Sequence, residues 1–301
     1  MVLLRAEGLL DEARIRELTV VFAGLGSLGS QTAAALPYGF GSVILADMDT
    51  LKTENVERHV LGHSDVGRAK VLAMADYLAD RTLNRGRIET YNGRVEDILG
   101  ECPDNTLVVV SVDGYSARAA INRVCYERNF PAMFGGVYPK GTGGDITVLP
   151  RPSEVCYLCG AWLTLVQTQG TQHTNYDVDP RAHSGQVEVP VPALKAPVGA
   201  VAMQMAISAL ELISGEKVPA CTHRLIHTWQ PVLTSSSPAG LPEAVDRFQA
   251  ALMGAGVDPG WRNTPSSQGL TVDVRRSIVS FVINQWAGCP LHSTRVSLDE
   301  I

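Results

Sequence analysis

Apolar runs closed by turn residues alternate with helix-compatible stretches through the first half of the chain. Leu18 to Ala23 is a short apolar run that ends in Gly24-Leu-Gly-Ser-Leu-Gly29, and an alanine-rich stretch from Ser30 to Leu36 follows, giving strand, glycine turn and helix. A second apolar run, Val43 to Ala46, ends at Asp47. Gly67 to about Leu83 reads as a helix, Arg87 to Tyr91 as a strand, and Leu107 to Val112 is a β-branched run closed by Asp113 and followed by an amphipathic stretch from Ser116 to Arg128. Strands alternating with helices predict a parallel, doubly wound sheet. Ala132 to Val137 and Asp145 to Leu149, on either side of a glycine-rich turn, predict further strands as an antiparallel extension.

The second half is less regular. Gln167 to Pro192 is polar, contains glycine and proline and shows no sustained period, which marks a long loop of the kind that carries function. Pro197 to Ile213 is apolar but interrupted by Gln204, Ser208 and Glu211. It falls short of the ~20 clean apolar residues a membrane span needs and predicts a buried helix. Leu225 to Leu233 predicts a strand, Thr234 to Gly240 a linker, and Val272 to Trp286 an amphipathic helix bearing Val274, Ile278, Phe281, Val282 and Gln285. The expected fold is thus α/β: a Rossmann-like, doubly wound, mainly parallel sheet with an antiparallel extension and a C-terminal helical insertion.

Composition narrows the class. With 45% hydrophobic and 19% charged residues among 301, and a mean hydropathy of +0.06, disordered, coiled-coil and collagen-like readings are out. Twenty-five basic against 31 acidic residues give a net charge of −6, so no basic excess exists to neutralise a nucleic-acid backbone, and no nucleic-acid partner is expected. Acids from Glu7 onward and the lack of a small-residue cleavage site argue against a secretory signal, so the expected location is cytoplasmic with no membrane association. Six cysteines are too sparse for a disulfide scaffold, and Cys156-Tyr-Leu-Cys159 points to metal or redox chemistry, zinc first.

A glycine turn followed, 18 residues past its last glycine, by an acid at the end of the next strand is the pattern of a nucleotide-binding βαβ unit. Gly24, Gly26 and Gly29 let backbone N–H groups and a helix N-terminus approach phosphate, and Asp47 can accept from ribose hydroxyls. The motif alone fits a dehydrogenase, or a tight turn with no ligand. The next segment changes that reading, because a polar loop places Asn55, Arg58 and Lys70 beside the turn where a dehydrogenase would continue into a helix. A guanidinium fork and an ammonium suit a triphosphate and the charge that develops on a leaving pyrophosphate. Asp113, at the C-terminal end of a central strand, lies on the ligand side of a parallel sheet, where one carboxylate plus phosphate oxygens can hold Mg²⁺.

In order, the motifs Gly24/Gly26/Gly29, Asp47-Met-Asp49, Asn55-Val-Glu-Arg58, Gly67-Arg-Ala-Lys70, Ser111-Val-Asp113 and Cys156-Tyr-Leu-Cys159 resemble those of the ThiF/MoeB/HesA adenylyltransferases, the adenylation core of ubiquitin-activating enzymes, over residues 18 to 233. The resemblance implies an ATP-binding adenylation domain over 1–233, with a crossover loop near 167–192, and a C-terminal extension over 234–301. It implies that Asp47 holds the ATP ribose, that Asn55, Arg58 and Lys70 contact phosphates and that Asp113 holds Mg²⁺, with Arg58, Lys70 and Asp113 catalytic. Arg118 could also face the site.

The activity so implied is adenylation of a carboxylate, that of a ubiquitin-like protein's C-terminal glycine or of a peptide, by a homodimer that passes its product to a downstream carrier enzyme. An NAD-dependent enzyme or a catalytically silent scaffold of the same fold is the alternative. Members that form a thioester place the cysteine in or after the crossover loop, yet residues 160 to 220 contain none, and Cys221 is the nearest. The family's second C-x-x-C is matched only by Cys289-Pro-Leu-His292, which with Cys156 and Cys159 would make a Cys₃His zinc site. Cys221-Thr-His223 is the rival pair.

Overall fold

The computed structural model describes residues 11–36, 39–81, 87–137, 143–159, 195–214, 221–228, 278–283, 289, 291 and 292. The expected crossover loop, the linker at 234–240 and most of the 234–301 extension lie outside these residues.

Among the described residues, eight strands form one sheet in the order β3-β2-β1-β4-β5-β6-β7-β8. They are β1 (Thr19–Ala23), β2 (Ser42–Ala46), β3 (Ile88–Tyr91), β4 (Thr106–Val110), β5 (Ala132–Val137), β6 (Gly143–Leu149), β7 (Thr222–His227) and β8 (Ile278–Val282). From β3 to β5 neighbours run parallel; β6, β7 and β8 add on antiparallel. The helices are α1 (Glu12–Glu17), α2 (Ser27–Ala35), α3 (Lys70–Ala79), α4 (Glu96–Leu99), α5 (Tyr115–Arg128) and α6 (Lys195–Ser214). This is the Rossmann-like, mainly parallel α/β sheet with an antiparallel extension that the pattern predicts.

Strand alternation sorts the core into two layers. Val20 and Phe22 of β1 join Leu45, Val109, Met133 and Ile146 under residues of α2, α3 and α6. Val21 and Ala23 join Val108, Val110 and Phe134 on the opposite face, under α5 and the Cys156–Cys159 turn. Both faces of β1 and β4 are therefore dry, which is why those strands read as unbroken apolar runs. Helix α6 buries Val198, Val201, Met205, Ala209 and Ile213 against α2 and the sheet, and leaves Met203, Ile207 and Leu210 exposed on its outer side.

One expected element is different. The sequence predicts a helix over Val272 to Trp286, but Ile278–Val282 is a strand that pairs antiparallel with β7. The run Ile-Val-Ser-Phe-Val is rich in β-branched and aromatic side chains, and β7 offers an open edge. Its spacing satisfies a helical stripe as well, so pairing decides. The expected helical insertion is at this point sheet.

Candidate functional site

The strand order reverses between β1 and β4, and the crevice at their C-terminal ends is where open α/β sheets place ligands. Gly24 leaves β1 with φ 87°, a left-handed conformation that favours glycine. Gly29 sits in the first turns of α2, where a Cβ would lie 2.1 Å from the Gly24 carbonyl oxygen and 2.3 Å from Ser111 Oγ. The close approach of α2 to the turn thus requires glycine there. Gly26, the N-cap of α2, differs: a Cβ there would meet nothing within 4 Å. Open space in front of a helix N-terminus, where N–H groups lack intrahelical partners, is an anion cradle.

Asp47 pins the turn. Its carboxylate accepts from Leu25 N at 2.6 Å and from Asp49 N at 2.8 Å. Lys70, first residue of α3 and only 7% exposed, places Nζ 2.8 Å from Asp49 Oδ2 and 3.9 Å from Asp47 Oδ1. A nearly buried ammonium is tolerable only with such partners.

Between β2 and α3 the chain forms the expected polar loop, and it is ordered. It holds two short 3₁₀ turns, Thr53–Asn55 and His63–Asp65, and is anchored by buried Leu51 and Leu61. Asn55 Oδ1 accepts from Lys52 N at 3.1 Å and closes the first turn. Arg58 follows, and its Nε donates to Ser27 Oγ at 2.6 Å while Nη1 donates to Glu54 O at 3.2 Å. The guanidinium is thereby held over the first residue of α2, beside the cradle.

His59 fastens this loop to the turn, and nothing in the sequence assigned it a role. It is wholly buried; Nδ1 accepts from Leu61 N at 3.1 Å, so Nε2 carries the proton and donates to Leu25 O at 2.7 Å. Burial, reinforced by Lys70, Lys195 and Arg58 and opposed by the Leu25 carbonyl, lowers its pKa to about 4. The imidazole is neutral at pH 7. Only a contact with the Leu25 carbonyl 34 residues earlier reveals the role.

Asp113 is exposed, three residues beyond β4, on the cradle side of the sheet. Arg118, on α5, does not point freely into the crevice. It donates to Val112 O at 3.0 Å, Gly135 O at 2.8 Å and Tyr157 Oη at 3.4 Å. Burial works against its charge, yet Tyr157, Asp145 and Asp113 outweigh that and hold its pKa above the ordinary arginine value.

On the opposite face Cys156, Cys159, Cys289 and His292 come together, their ligand atoms all within 4.8 Å of one another. Cys156 Sγ lies 3.9 Å from Cys159 Sγ and 3.5 Å from Cys289 Sγ; His292 Nδ1 lies 3.4 Å from Cys159 Sγ and 3.8 Å from Cys156 Sγ. A tetrahedral ion with ordinary zinc bond lengths requires about 3.8 Å between sulfurs and about 3.6 Å from sulfur to nitrogen. The donor set therefore fits Zn²⁺. Hydrogen bonds from Cys159 and Cys289 pull the Cys156 thiol far below its usual pKa, and Cys289, as a donor to it, is raised. The rival pair does not join: His223 bonds Thr147 Oγ1 through Nδ1 at 2.9 Å. All six cysteines of the chain are buried, and burial pushes the Cys221 thiol well up, so Cys221 is poorly placed as a nucleophile.

The structure thus brings Gly24, Gly26, Gly29, Asp47, Arg58 and Lys70 around one crevice, keeps Asn55 in the first 3₁₀ turn of the adjoining loop, and gathers the four expected metal ligands into one cluster. Together they define a Rossmann-like protein with a cationic cradle at its topological switch point. The chain belongs to the ThiF family, whose model matches residues 2–240. It is similar to ubiquitin-like modifier-activating enzyme 5 of Dictyostelium discoideum, at 30% identity over 161 residues that cover 48% of this chain and 42% of that protein. The same enzyme of Drosophila ananassae is 31% identical over 188 residues, covering 56% and 46%. The matched segment spans less than half the length of these relatives. Among solved structures, E. coli MccB superposes with a TM-score of 0.60 at 17% identity, covering 95% of this chain and 68% of that one. A crystal structure of MccB with ATP gives 0.53 at 18% identity, covering 75% and 65%.

Proposed function

We propose that the chain is an ATP-dependent adenylyltransferase. A carboxylate oxygen of the acyl substrate attacks the α-phosphorus of ATP, the bond to the β-phosphate oxygen breaks, and acyl-adenylate and pyrophosphate result. The observation that carries this reading is the pair of cations at the cradle: Arg58 held over Ser27 at the start of α2, and Lys70 enclosed beside Asp47 and Asp49. Hydride transfer has no use for them, whereas a departing pyrophosphate does. In this reading Gly24, Gly26 and Gly29 shape the phosphate path, Asp47 takes the ribose, and Asn55, Arg58 and Lys70 take phosphate oxygens. Positioning and charge neutralisation supply most of such a step, so no covalent intermediate on the protein is needed.

Asp113 would hold Mg²⁺, which supplies charge neutralisation at the phosphate oxygens when bound; an exposed carboxylate at a strand end suits an ion that keeps water and phosphate ligands. Cys156, Cys159, Cys289 and His292 would hold Zn²⁺ as a structural tie between the segment after β6 and the segment after β8. The substrate class is a ubiquitin-like protein or peptide with a C-terminal carboxylate, in keeping with the similarity to ubiquitin-like modifier-activating enzyme 5. A second copy of the chain covers the exposed apolar side of α6, a downstream carrier enzyme takes the acyl group, and the setting is cytoplasmic.

The test is thermal unfolding with ATP·Mg²⁺ or NAD, followed by pyrophosphate exchange into ATP with peptides ending in glycine. A ligand at a hundred times its Kd adds about 2.7 kcal/mol of apparent stability. ATP·Mg²⁺ should raise the midpoint and NAD should not. Arg58→Ala and Asp113→Ala should abolish exchange with the fold intact; full exchange in both, or a shift with NAD alone, sinks the reading.

A further inference from the structure

Arg118 reaches three structural units at once. It donates to the carbonyl of Val112, one residue before Asp113; to the carbonyl of Gly135 in β5; and to the hydroxyl of Tyr157. Tyr157 lies inside the metal-binding turn, between Cys156 and Cys159. It is buried, its ring stacks on Phe134 with centroids 4.3 Å apart and planes 20° apart, and its backbone N donates to Asn122 Oδ1 at 2.8 Å. Asn122 is also buried, and its Nδ2 finds no conventional partner. The turn thus holds two of the four clustered Cys/His donors, and one of the two residues between them is bonded to the arginine behind the nucleotide crevice.

We propose that Tyr157 and Arg118 are positioning residues that link the two sites. A divalent metal on Cys156, Cys159, Cys289 and His292 fixes the turn, the turn fixes the Tyr157 hydroxyl, and the planar guanidinium of Arg118 carries that placement to Val112 and so to Asp113. A guanidinium suits the task because its donors diverge in one plane at fixed angles, so that moving one acceptor moves the others. The inference rests on the adenylyltransferase reading, since it gives Asp113 a ligand to receive.

Tyr157→Phe keeps the ring, its stack on Phe134 and all four metal ligands, and removes one hydroxyl. Wild type and variant, as full chains, are compared for zinc content by elemental analysis and for the Kd of a non-hydrolysable ATP analogue by calorimetry, with Mg²⁺ present or omitted, before and after stripping zinc with phenanthroline. Both should retain about one zinc per chain. With Mg²⁺ the loaded variant should bind the analogue about fivefold more weakly, the worth of one ordinary hydrogen bond. Without Mg²⁺ the two should bind it equally. Stripping zinc should weaken the wild type by a similar factor and change the variant little. Equal Kd in the two loaded proteins, an equal effect of stripping on both, or a wild type that takes up no zinc overturns the link. If the stripped chain unfolds, the loaded comparison decides alone. A wild type that fails to bind the analogue at all fails the functional reading instead.

Discussion

His59 makes the stability of the cradle sensitive to acid. In the folded chain its pKa is lowered to about 4, chiefly by burial, against 6.5 for the unconstrained group. The neutral ring is the one that both accepts from Leu61 N and donates to Leu25 O; protonation of Nδ1 removes the acceptor. The unfolded chain protonates first as pH falls, so stability present above pH 6.5 is lost progressively between 6.5 and about 4 and no further below that. A shift of that size is worth about 3 kcal/mol in full, of which roughly 2 kcal/mol disappears between pH 7 and pH 5. Other groups add their own slopes, His223 among them, since its burial also lowers its pKa. The measurement is therefore a difference: urea unfolding from pH 7.5 to 4.5 for the wild type and for His59→Gln, whose amide can donate to Leu25 O and does not titrate. The variant should start less stable and lose less. Parallel curves for the two proteins would show that His59 is not held neutral, and that the loop is fastened to the turn by something else.

Four more outcomes follow from the geometry. Gly26→Ala should fold as the wild type does and lose ATP binding, because its Cβ enters open space in the cradle, whereas Gly29→Ala should cost at least about 2 kcal/mol of stability by driving a methyl into the Gly24 carbonyl; circular dichroism with calorimetry separates the two. Cys289→Ser and His292→Ala should each release zinc measured by elemental analysis while nucleotide binding persists, and full retention in both would mean that other residues close the site. Ile207→Glu, on the exposed side of α6, should turn a dimer into a monomer in sedimentation; a monomeric wild type at micromolar concentration refutes the pairing. Gel analysis during turnover should show no reducing-agent-sensitive adduct on the chain, since every cysteine is buried, and an adduct lost on Cys221→Ala would contradict this.

What was legible in the sequence follows from how local each feature is. The parallel half is built from strand, turn and helix in succession, so Gly24, Asp47 and Asp113 fall at strand ends that the apolar runs already mark. The Cys/His cluster is legible for a different reason. Cys156, Cys159, Cys289 and His292 keep pair spacings that coordination chemistry demands, and these survive the 129 residues between Cys159 and Cys289 whatever fold intervenes. The antiparallel half depends on pairing between distant segments, and there the sequence pattern predicts a helix across Ile278–Val282 because nothing near it in sequence announces the open edge of β7. Side-chain roles divide in the same way. Arg58 and Lys70 are readable as cations near a phosphate turn, but their resting partners, Ser27 and Asp49, are not. Those partners bear on the chemistry. In the adenylyltransferase reading proposed above, a nearly buried Lys70 bonded to Asp49 would exchange that contact for phosphate, and Asp49, with its side chain 65% exposed, can return to water at little cost. Asp47, only 8% exposed, has no such exit and stays fixed to Leu25 N. The division of labour between the two acids of Asp47-Met-Asp49, one pinning the turn and one releasing the lysine, is therefore set by their solvent exposure, which the motif itself does not record.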